Sequence, residues 1–335
     1  MGKQTPEERD EFLAAIKQDF DDRLAQMAKD PARWVEFIDQ AATFGARYSA
    51  TNHMLLMFQA EERGIEPRYF LPYGNKQKTS GWLAVGRQVR AGEAAFKVWA
   101  PITRRPTEEE ATEWEAAGRK VKRDSRGRPA VQVVGFRLMN TFELSQTDGE
   151  PFDVPTVQRI RRIKAAAATP ALLTGDDPTG AYDDVVDLIE AAGYSFALVP
   201  PRTGYLRGAN GVTVTGPGLR VVQVRDDVDA PQRLKTTVHE LAHIRCGHTD
   251  SDGDLHRGRM ETEAESVAHL VCRALGLDSR AYSDAYVFGW ADGDLDLIKA
   301  CAETVLRVSK QILTDLTPAD TDAGTGEVDG FPAAA

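Results

Sequence analysis

His239-Glu240-Leu241-Ala242-His243 is the stretch on which the reading of this chain turns. On an α-helix, positions i and i+4 lie one turn apart on the same face. Two imidazoles at that spacing reach a single metal ion, and the glutamate after the first reaches a water on that ion. Asp229-Ala230-Pro231 starts the helix, with proline in its first turn.

A catalytic zinc takes three protein ligands and keeps one position open. His239 and His243 are assigned as two of them. The third is expected on the next helical pattern, Met260–Leu277, with apolar positions Met260, Ala264, Val267, Ala268, Val271 and Leu275. That pattern begins Glu261-Thr262-Glu263-Ala264-Glu265, and Glu261 and Glu265 share a face. Glu261 is assigned as the metal ligand. Glu265 is assigned as the carboxylate that accepts the free N–H of a ligand histidine and fixes its tautomer. The competing assignment makes Glu265 the ligand. Glu263 is read as a solvated residue of the helix start. Five of the six histidines lie between 239 and 269. His248 is read as satisfying the last carbonyls of the motif helix. A purely structural zinc site would have no use for a glutamate between its histidines. The pattern therefore points to hydrolysis with Zn2+ as cofactor, Glu240 as general base, and Tyr282, Tyr286 or Tyr205 as donor to the oxyanion.

Working outward, Tyr182–Ala192 reads as a helix and Tyr194–Val199 as a strand. Val212–Thr215 and Leu219–Val224 read as a hairpin around Gly216-Pro217-Gly218. Leu219–Val224 is expected to hold an extended peptide by edge pairing. Ser145–Pro155 is a polar boundary, followed by an expected helix at Val157–Ala168 and a loop at Thr169–Gly180. Helices run on to about Leu316, and the Ala/Gly/Asp-rich Thr317–Ala335 is expected to be disordered.

Before the boundary, Phe12, Ile16, Phe20, Leu24 and Met27 form one helical stripe, and Trp34, Phe37, Ile38 and Ala41 a second. Ser49 or Thr51 is the expected cap of a third helix. Arg68 to Arg105 then carries eight Lys or Arg and a single acid, Glu93, interleaved with Tyr69, Phe70, Tyr73, Trp82, Phe96 and Trp99. Ala95–Pro101 and Val131–Phe142 read as paired strands, with Thr107–Arg128 inserted between them. Lys76, Lys78, Arg87, Arg90, Lys97, Arg104 and Arg105 are candidates to meet phosphates. Tyr69, Tyr73, Trp82 and Trp99 are candidates to stack bases, the combination that single strands require.

The chain has 335 residues, 42% hydrophobic and 27% charged, a composition with material for real cores. Residues 1–150 hold 23 Lys+Arg and 23 Asp+Glu, so the whole net charge of −10 belongs to the half with the histidine motif. No run approaches a membrane span, and Met1–Asp22 lacks the apolar core of a secretion signal. Three cysteines are too few for a disulfide framework, and Cys246 and Cys272 read as buried small apolar residues. The expected location is the cytoplasm, with no membrane partner. The expected fold class is α+β. Residues 1–150 are expected to form an α+β nucleic-acid-binding domain, 151–316 a zincin-like metallopeptidase domain of helices with a small antiparallel sheet, and 317–335 a tail.

The chain resembles ArdC-like antirestriction proteins with a C-terminal ImmA/IrrE-type zinc metallopeptidase domain. Toward the N-terminus the resemblance rests on Tyr48-Ser49-Ala50-Thr51-Asn52-His53-Met54-Leu55-Leu56, Gly81-Trp82, Gly86 to Glu93, Ala100-Pro101-Ile102, Asn140-Thr141-Phe142 and Gln146-Thr147-Asp148-Gly149. Toward the C-terminus it rests on His239 to His243, Gly247-His248, Glu261 to Ala268 and Leu275-Gly276-Leu277. It spans most of residues 9–310. It implies a single-stranded-DNA-binding domain and a zinc site whose Glu and later polar residue fall on Glu261 and Glu265. ImmA/IrrE-type chains often have Asn at the later position, whereas ArdC-like chains often have Glu. The function expected is an antirestriction or mobile-element protein that binds single-stranded DNA and hydrolyses a peptide, with a protein regulator as substrate. Two alternatives stand beside it: a regulatory protease that cleaves a repressor, and a non-catalytic DNA-binding shield with a structural zinc.

Overall fold

The apolar stripes become helices that close on one another, while the aromatic, β-branched stretches become short sheets. The structure is a computed structural model that describes residues 6–27, 30–44, 48–75, 77, 79–154, 180–249, 257–277, 291 and 294–316. In chain order the elements are α1 (Pro6–Met27), α2 (Pro31–Phe44), α3 (Ala50–Glu62), β1 (Phe70–Leu71), α4 (Gly81–Ala84), β2 (Arg87–Val89), β3 (Phe96–Arg104), α5 (Glu108–Ala116), β4 (Gln132–Glu143) and β5 (Thr147–Gly149). They continue with α6 (Tyr182–Ala191), β6 (Ser195–Val199), β7 (Gly211–Gly216), β8 (Leu219–Arg225), α7 (Ala230–Arg245), α8 (Arg257–Ala274) and α9 (Leu295–Asp315). The class is α+β. The expected helix at Val157–Ala168 and the tail Thr317–Ala335 lie outside the described residues. Among the described residues, no helix is long and apolar enough to cross a membrane.

Chain contacts divide the described residues into two units, one running up to Arg68 and resuming at Asp153, the other Tyr69–Phe152. This departs from the sequence division at residue 150, which grouped the first three helices with the strands. The reason lies in the faces of those helices. In α2, Trp34, Phe37, Ile38 and Ala41 are buried, and α2 packs on α8. Trp34 Nε1 donates to Ser266 Oγ at 2.9 Å, and Asp39 Oδ1 lies 3.0 Å from His269 Nε2 and 3.1 Å from Arg273 Nε. Asp21 on α1 pairs with Lys299 on α9 at 2.7 Å. Full burial of a Phe or Ile contributes roughly 1.5–3 kcal/mol, so this seam outweighs the exposed ion pairs around it. Ser49 caps α3, its Oγ accepting the Asn52 N–H. The helix is buried almost all round from Asn52 to Phe58, which marks it as central rather than peripheral.

The first unit also holds a three-stranded sheet in the order β6-β8-β7. β6 runs parallel to β8 and β7 antiparallel to it. Leu219–Arg225 is therefore the central strand, paired on both sides, so it offers no edge to an extended peptide; the edges of this sheet are β6 and β7. Its central place follows from Val222 and Val224, which are fully buried.

In the second unit, β4 pairs antiparallel with both β1 and β3, and β2 pairs with β5. Phe96, Val98 and Ala100 alternate into its core, as period-2 patterning requires. The Thr107–Arg128 insertion between β3 and β4 opens with α5, whose capping box joins Thr107 and Glu110.

Candidate metal centre and nucleic-acid face

α7 forms because Leu234, Val238, Leu241 and Ala242 repeat at helical spacing and are all fully buried. That burial turns Lys235, His239 and His243, successive i+4 positions, onto one shared face. α8 packs against it and brings Glu261 and Glu265 to the same point. The Nε2 atoms of His239 and His243 are 3.1 Å apart, and Glu261 Oε2 lies 3.5 and 3.9 Å from them. One ligand atom from each of the three lies within 4.8 Å of the others. Two imidazole nitrogens and a carboxylate converging on one point form a donor set that fits a divalent metal. His239 Nδ1 is 3.1 Å from Glu265 Oε2, as the orienting role requires, and Glu265 Oε1 accepts from the buried Lys235 Nζ at 2.5 Å. With one face of Glu265 on Lys235 and the other on His239 Nδ1, the competing assignment of Glu265 as ligand is disfavoured.

The charges follow the geometry. Burial lowers the pKa of His239, but its hydrogen bonds to Glu261 and Glu265 and the Glu240 charge outweigh it and carry it to about 10. Burial and then repulsion from His239 push His243 down to about 3. Glu265 resists its own burial through His239 and Lys235 and sits at about 2. Glu240 is raised by burial, with His239 and Thr213 opposing.

Glu240 meets β7. Thr213 Oγ1 donates to Glu240 Oε2 at 2.8 Å. A Cβ on Gly211 would lie 2.6 Å from Glu240 Oε1 and equally close to Thr236 Cγ2, so only glycine allows this strand to approach the helix. β7 pairs with β8 alone among the described strands. The Asn210 carbonyl accepts the Arg225 N–H. By the alternation of an antiparallel ladder, the backbone groups of Gly211, Thr213 and Thr215 then face the outer edge. Those residues and the metal-site side chains line one cleft of about 880 Å³.

Sequence reasoning missed two groups at this site. Glu263 is not a solvated helix-start residue. It is 2% exposed, 2.8 Å from His248 Nε2, and bound on its other oxygen by Arg259 Nε at 2.8 Å. His248 does close the helix end, its N–H donating to the His243 carbonyl. Its ring, however, returns to within 2.9 Å of His243 Nδ1. The available signal was Gly247, whose φ of 79° makes the left-handed turn that folds the next residue back over the last turn. His269 belongs to the α2 seam. Cys272 is fully buried as expected, while Cys246 is half-buried beside Glu263, its thiol pushed up to about 12 by burial and then by that carboxylate. Tyr282, Tyr286 and His256 lie outside the described residues. Tyr205 is half exposed, its N–H held by Gln223, and is not among the described residues lining the cleft.

In the second unit the candidate DNA contacts separate. Trp82 is core: fully buried, its Nε1 donates to the Phe142 carbonyl at 2.9 Å, and Tyr69 and Phe152 pack against its ring. Trp82 and the equally buried Tyr69 therefore offer no open face to a base. Arg87 is committed to Thr147 and the Glu150 carbonyl, Arg90 to Glu93, Arg104 to Glu110, and Arg105 to Asp124 and the Pro129 carbonyl. Each stabilises a turn or strand pair before it meets any phosphate. Lys76 and Lys78 lie outside the described residues. Lys97 and Trp99 lie on the face of β3 opposite its core side, half-buried; Lys97 Nζ donates to Asn140 Oδ1 at 2.6 Å, Trp99 is across from Leu138, and the exposed Phe136 is next along.

Residues 10–134 match the family model described as the N-terminal domain of anti-restriction factor ArdC. That stretch of the chain is ArdC-like. That match stops short of the metal helices, so the metallopeptidase reading stands on their geometry. A curated relative, the uncharacterized protein pXO2-81/BXB0111/GBAA_pXO2_0111 of Bacillus anthracis, is 23% identical over 318 residues. The alignment covers 91% of this chain and 51% of the relative, so the chain spans about half the length of the curated relative it matches. Among solved structures, the metal-free antirestriction ArdC protein from plasmid R388 is 18% identical with a TM-score of 0.49, covering 90% of this chain and 97% of that one. Its Mn(II)-bound form is likewise 18% identical, with a TM-score of 0.45 and coverage of 91% and 98%.

Proposed function

We propose that this ArdC-like chain is an antirestriction protein with two working parts, a single-stranded-DNA face on β3 and β4 and a zinc-dependent peptidase site on α7 and α8. A protein regulator is its proposed substrate. The observation that carries the peptidase reading is the convergence of His239, His243 and Glu261 on a cleft whose wall also holds Glu240 and the outer edge of β7. His239, His243 and Glu261 would hold the metal. Zinc, when bound, supplies a water of lowered pKa and a Lewis acid for the scissile carbonyl. Burial raises the Glu240 carboxyl toward the range a general base needs at neutral pH. The Thr213 hydroxyl fixes the plane of that carboxylate. The outward backbone groups of Gly211, Thr213 and Thr215 can pair with an extended peptide beside it.

Lys97, Trp99 and Phe136 support the DNA reading, as a cation beside two aromatic rings on one strand-paired face. The test is zinc content, peptide hydrolysis and oligo-dT binding for wild type and Glu240→Gln. The expected result is retained zinc and DNA binding with hydrolysis abolished. Full hydrolysis in the variant would remove Glu240 from the mechanism. Wild type that binds zinc and DNA without hydrolysing any peptide would leave the DNA shield instead.

A further inference from the structure

Behind His243 runs a second line of hydrogen bonds. Its Nδ1 is 2.9 Å from His248 Nδ1, His248 Nε2 is 2.8 Å from Glu263 Oε2, and Glu263 Oε1 accepts from Arg259 Nε at 2.8 Å. His248 and Glu263 are both buried, at 8% and 2% exposure. A carboxylate paired with a guanidinium only accepts, so His248 Nε2 carries a proton. A neutral His248 then presents a lone pair at Nδ1. The short contact to His243 closes only if His243 Nδ1 carries the hydrogen. That leaves the His243 lone pair on Nε2, the atom facing His239 and Glu261.

We propose that His248 and Glu263, anchored by Arg259, are a positioning relay that locks His243 in its metal-binding tautomer. The relay rests on the metal reading given above. With it, each ligand histidine is backed by a carboxylate and a cation. For His239 these are Glu265 and Lys235 directly. For His243 they are Glu263 and Arg259 through one imidazole.

Cys246, His248 and Glu263 also offer three ligand atoms within 4.8 Å of one another. A metal on His248 Nε2 would expel that proton and place hydrogen on Nδ1 instead. His243 Nδ1 would then have to accept, its Nε2 would hold the hydrogen, and the first site would lose a ligand. The two occupancies exclude each other, and a metal on Glu263 would also compete with Arg259. The hydrogen bonds therefore favour the relay over a second metal.

The experiment uses the full-length chain. In metal-free wild type, long-range proton–nitrogen correlation of 15N-labelled histidine reads the tautomers: hydrogen on Nε2 of His248 and on Nδ1 of His243 is expected. Zn2+ affinity is then measured by competition with a chromophoric chelator for wild type, His248→Leu and His248→Gln. The leucine variant should bind about 10- to 100-fold more weakly. The glutamine variant, with a carbonyl to accept and an amide to donate along the same line, should recover most of the loss. The opposite tautomer at His248, or wild-type affinity in a folded leucine variant, overturns the relay. A second bound equivalent that Cys246→Ser abolishes overturns it in favour of a second metal. If the leucine variant does not fold, the tautomers of wild type decide. Wild type that takes up no Zn2+ overturns the metal reading beneath the relay, whereas equal binding by wild type and the leucine variant overturns the relay alone.

Discussion

Loading the site with Zn2+ at pH 7 should release one proton from the protein. With their Nε2 atoms 3.1 Å apart, His239 and His243 can share one bridging hydrogen and not two. At His239 burial is outweighed by Glu261, Glu265 and Glu240, and the pKa rises to about 10. At His243 burial and the charge of His239 press it down to about 3. Between those values the pair holds a single proton, and a metal needs both lone pairs, so binding displaces it. The apparent association constant should rise about tenfold per pH unit across the neutral range, or ~2.7 kcal/mol from pH 6 to pH 8. The metal-free fold has the opposite dependence. A raised histidine pKa stabilises it fully below about 6.5, and that stabilisation is lost as pH rises through about 10. Titration calorimetry in two buffers of different ionisation enthalpy counts the protons. Repeating it on Glu240→Gln keeps the proton of the general base out of the count. Release of none, or of two, in that variant would refute the shared-proton reasoning.

Three further outcomes follow from the packing. Gly211→Ala places a Cβ 2.6 Å from Glu240 Oε1, which must move by about 0.8 Å to reach the 3.4 Å of ordinary contact; peptide turnover should fall about 100-fold with zinc content unchanged, and unchanged turnover would show the carboxylate is not held there. Lys235→Met strips the half-buried Glu265 of its buried cation and should cost about 3–5 kcal/mol in urea unfolding of the metal-free protein, much of it regained on adding Glu265→Gln, while wild-type stability in the single variant would contradict the pairing. Trp99→Ala should weaken oligo-dT binding by about 1–3 kcal/mol without altering the fold, and binding should weaken steeply from 50 to 200 mM salt, whereas Trp82→Ala should act on stability by about 3–5 kcal/mol; the reverse pattern would exchange their roles.

What was legible in the sequence was what a single element decides. Strand alternation located β3 and β4 to within a few residues, and helical spacing put His239 with His243 and Glu261 with Glu265. What was not legible depended on which elements meet. The stripe Trp34, Phe37, Ile38 announces a buried face but not its partner, and its neighbours in sequence say nothing of α8. Trp82 sits in a basic stretch and reads as a base-stacking residue until Tyr69 and Phe152 are seen against its ring. Arg87, Arg104 and Arg105 find their carboxylate, hydroxyl and carbonyl partners outside the basic stretch, and Arg90 finds Glu93, the one acid within it. A local charge count therefore overstates the phosphate-facing surface.

Glu263 shows how far helical periodicity carries the metal site. At 100° per residue, Glu263 lies about 200° around α8 from Glu261, so it cannot share the ligand face. From that angle alone, solvent and core are equally available. What decides is the neighbouring stretch of chain: α7 is followed at Gly247 by a left-handed turn, and the turn carries His248 back beneath His243. A buried carboxylate is costly unless it is paired, and here Arg259, one turn earlier on the same helix, and His248, from the turn, satisfy both its oxygens. The sequence Glu261-Thr262-Glu263-Ala264-Glu265 thus serves both histidines from one short stretch, Glu261 and Glu265 across the cleft face and Glu263 from behind through His248.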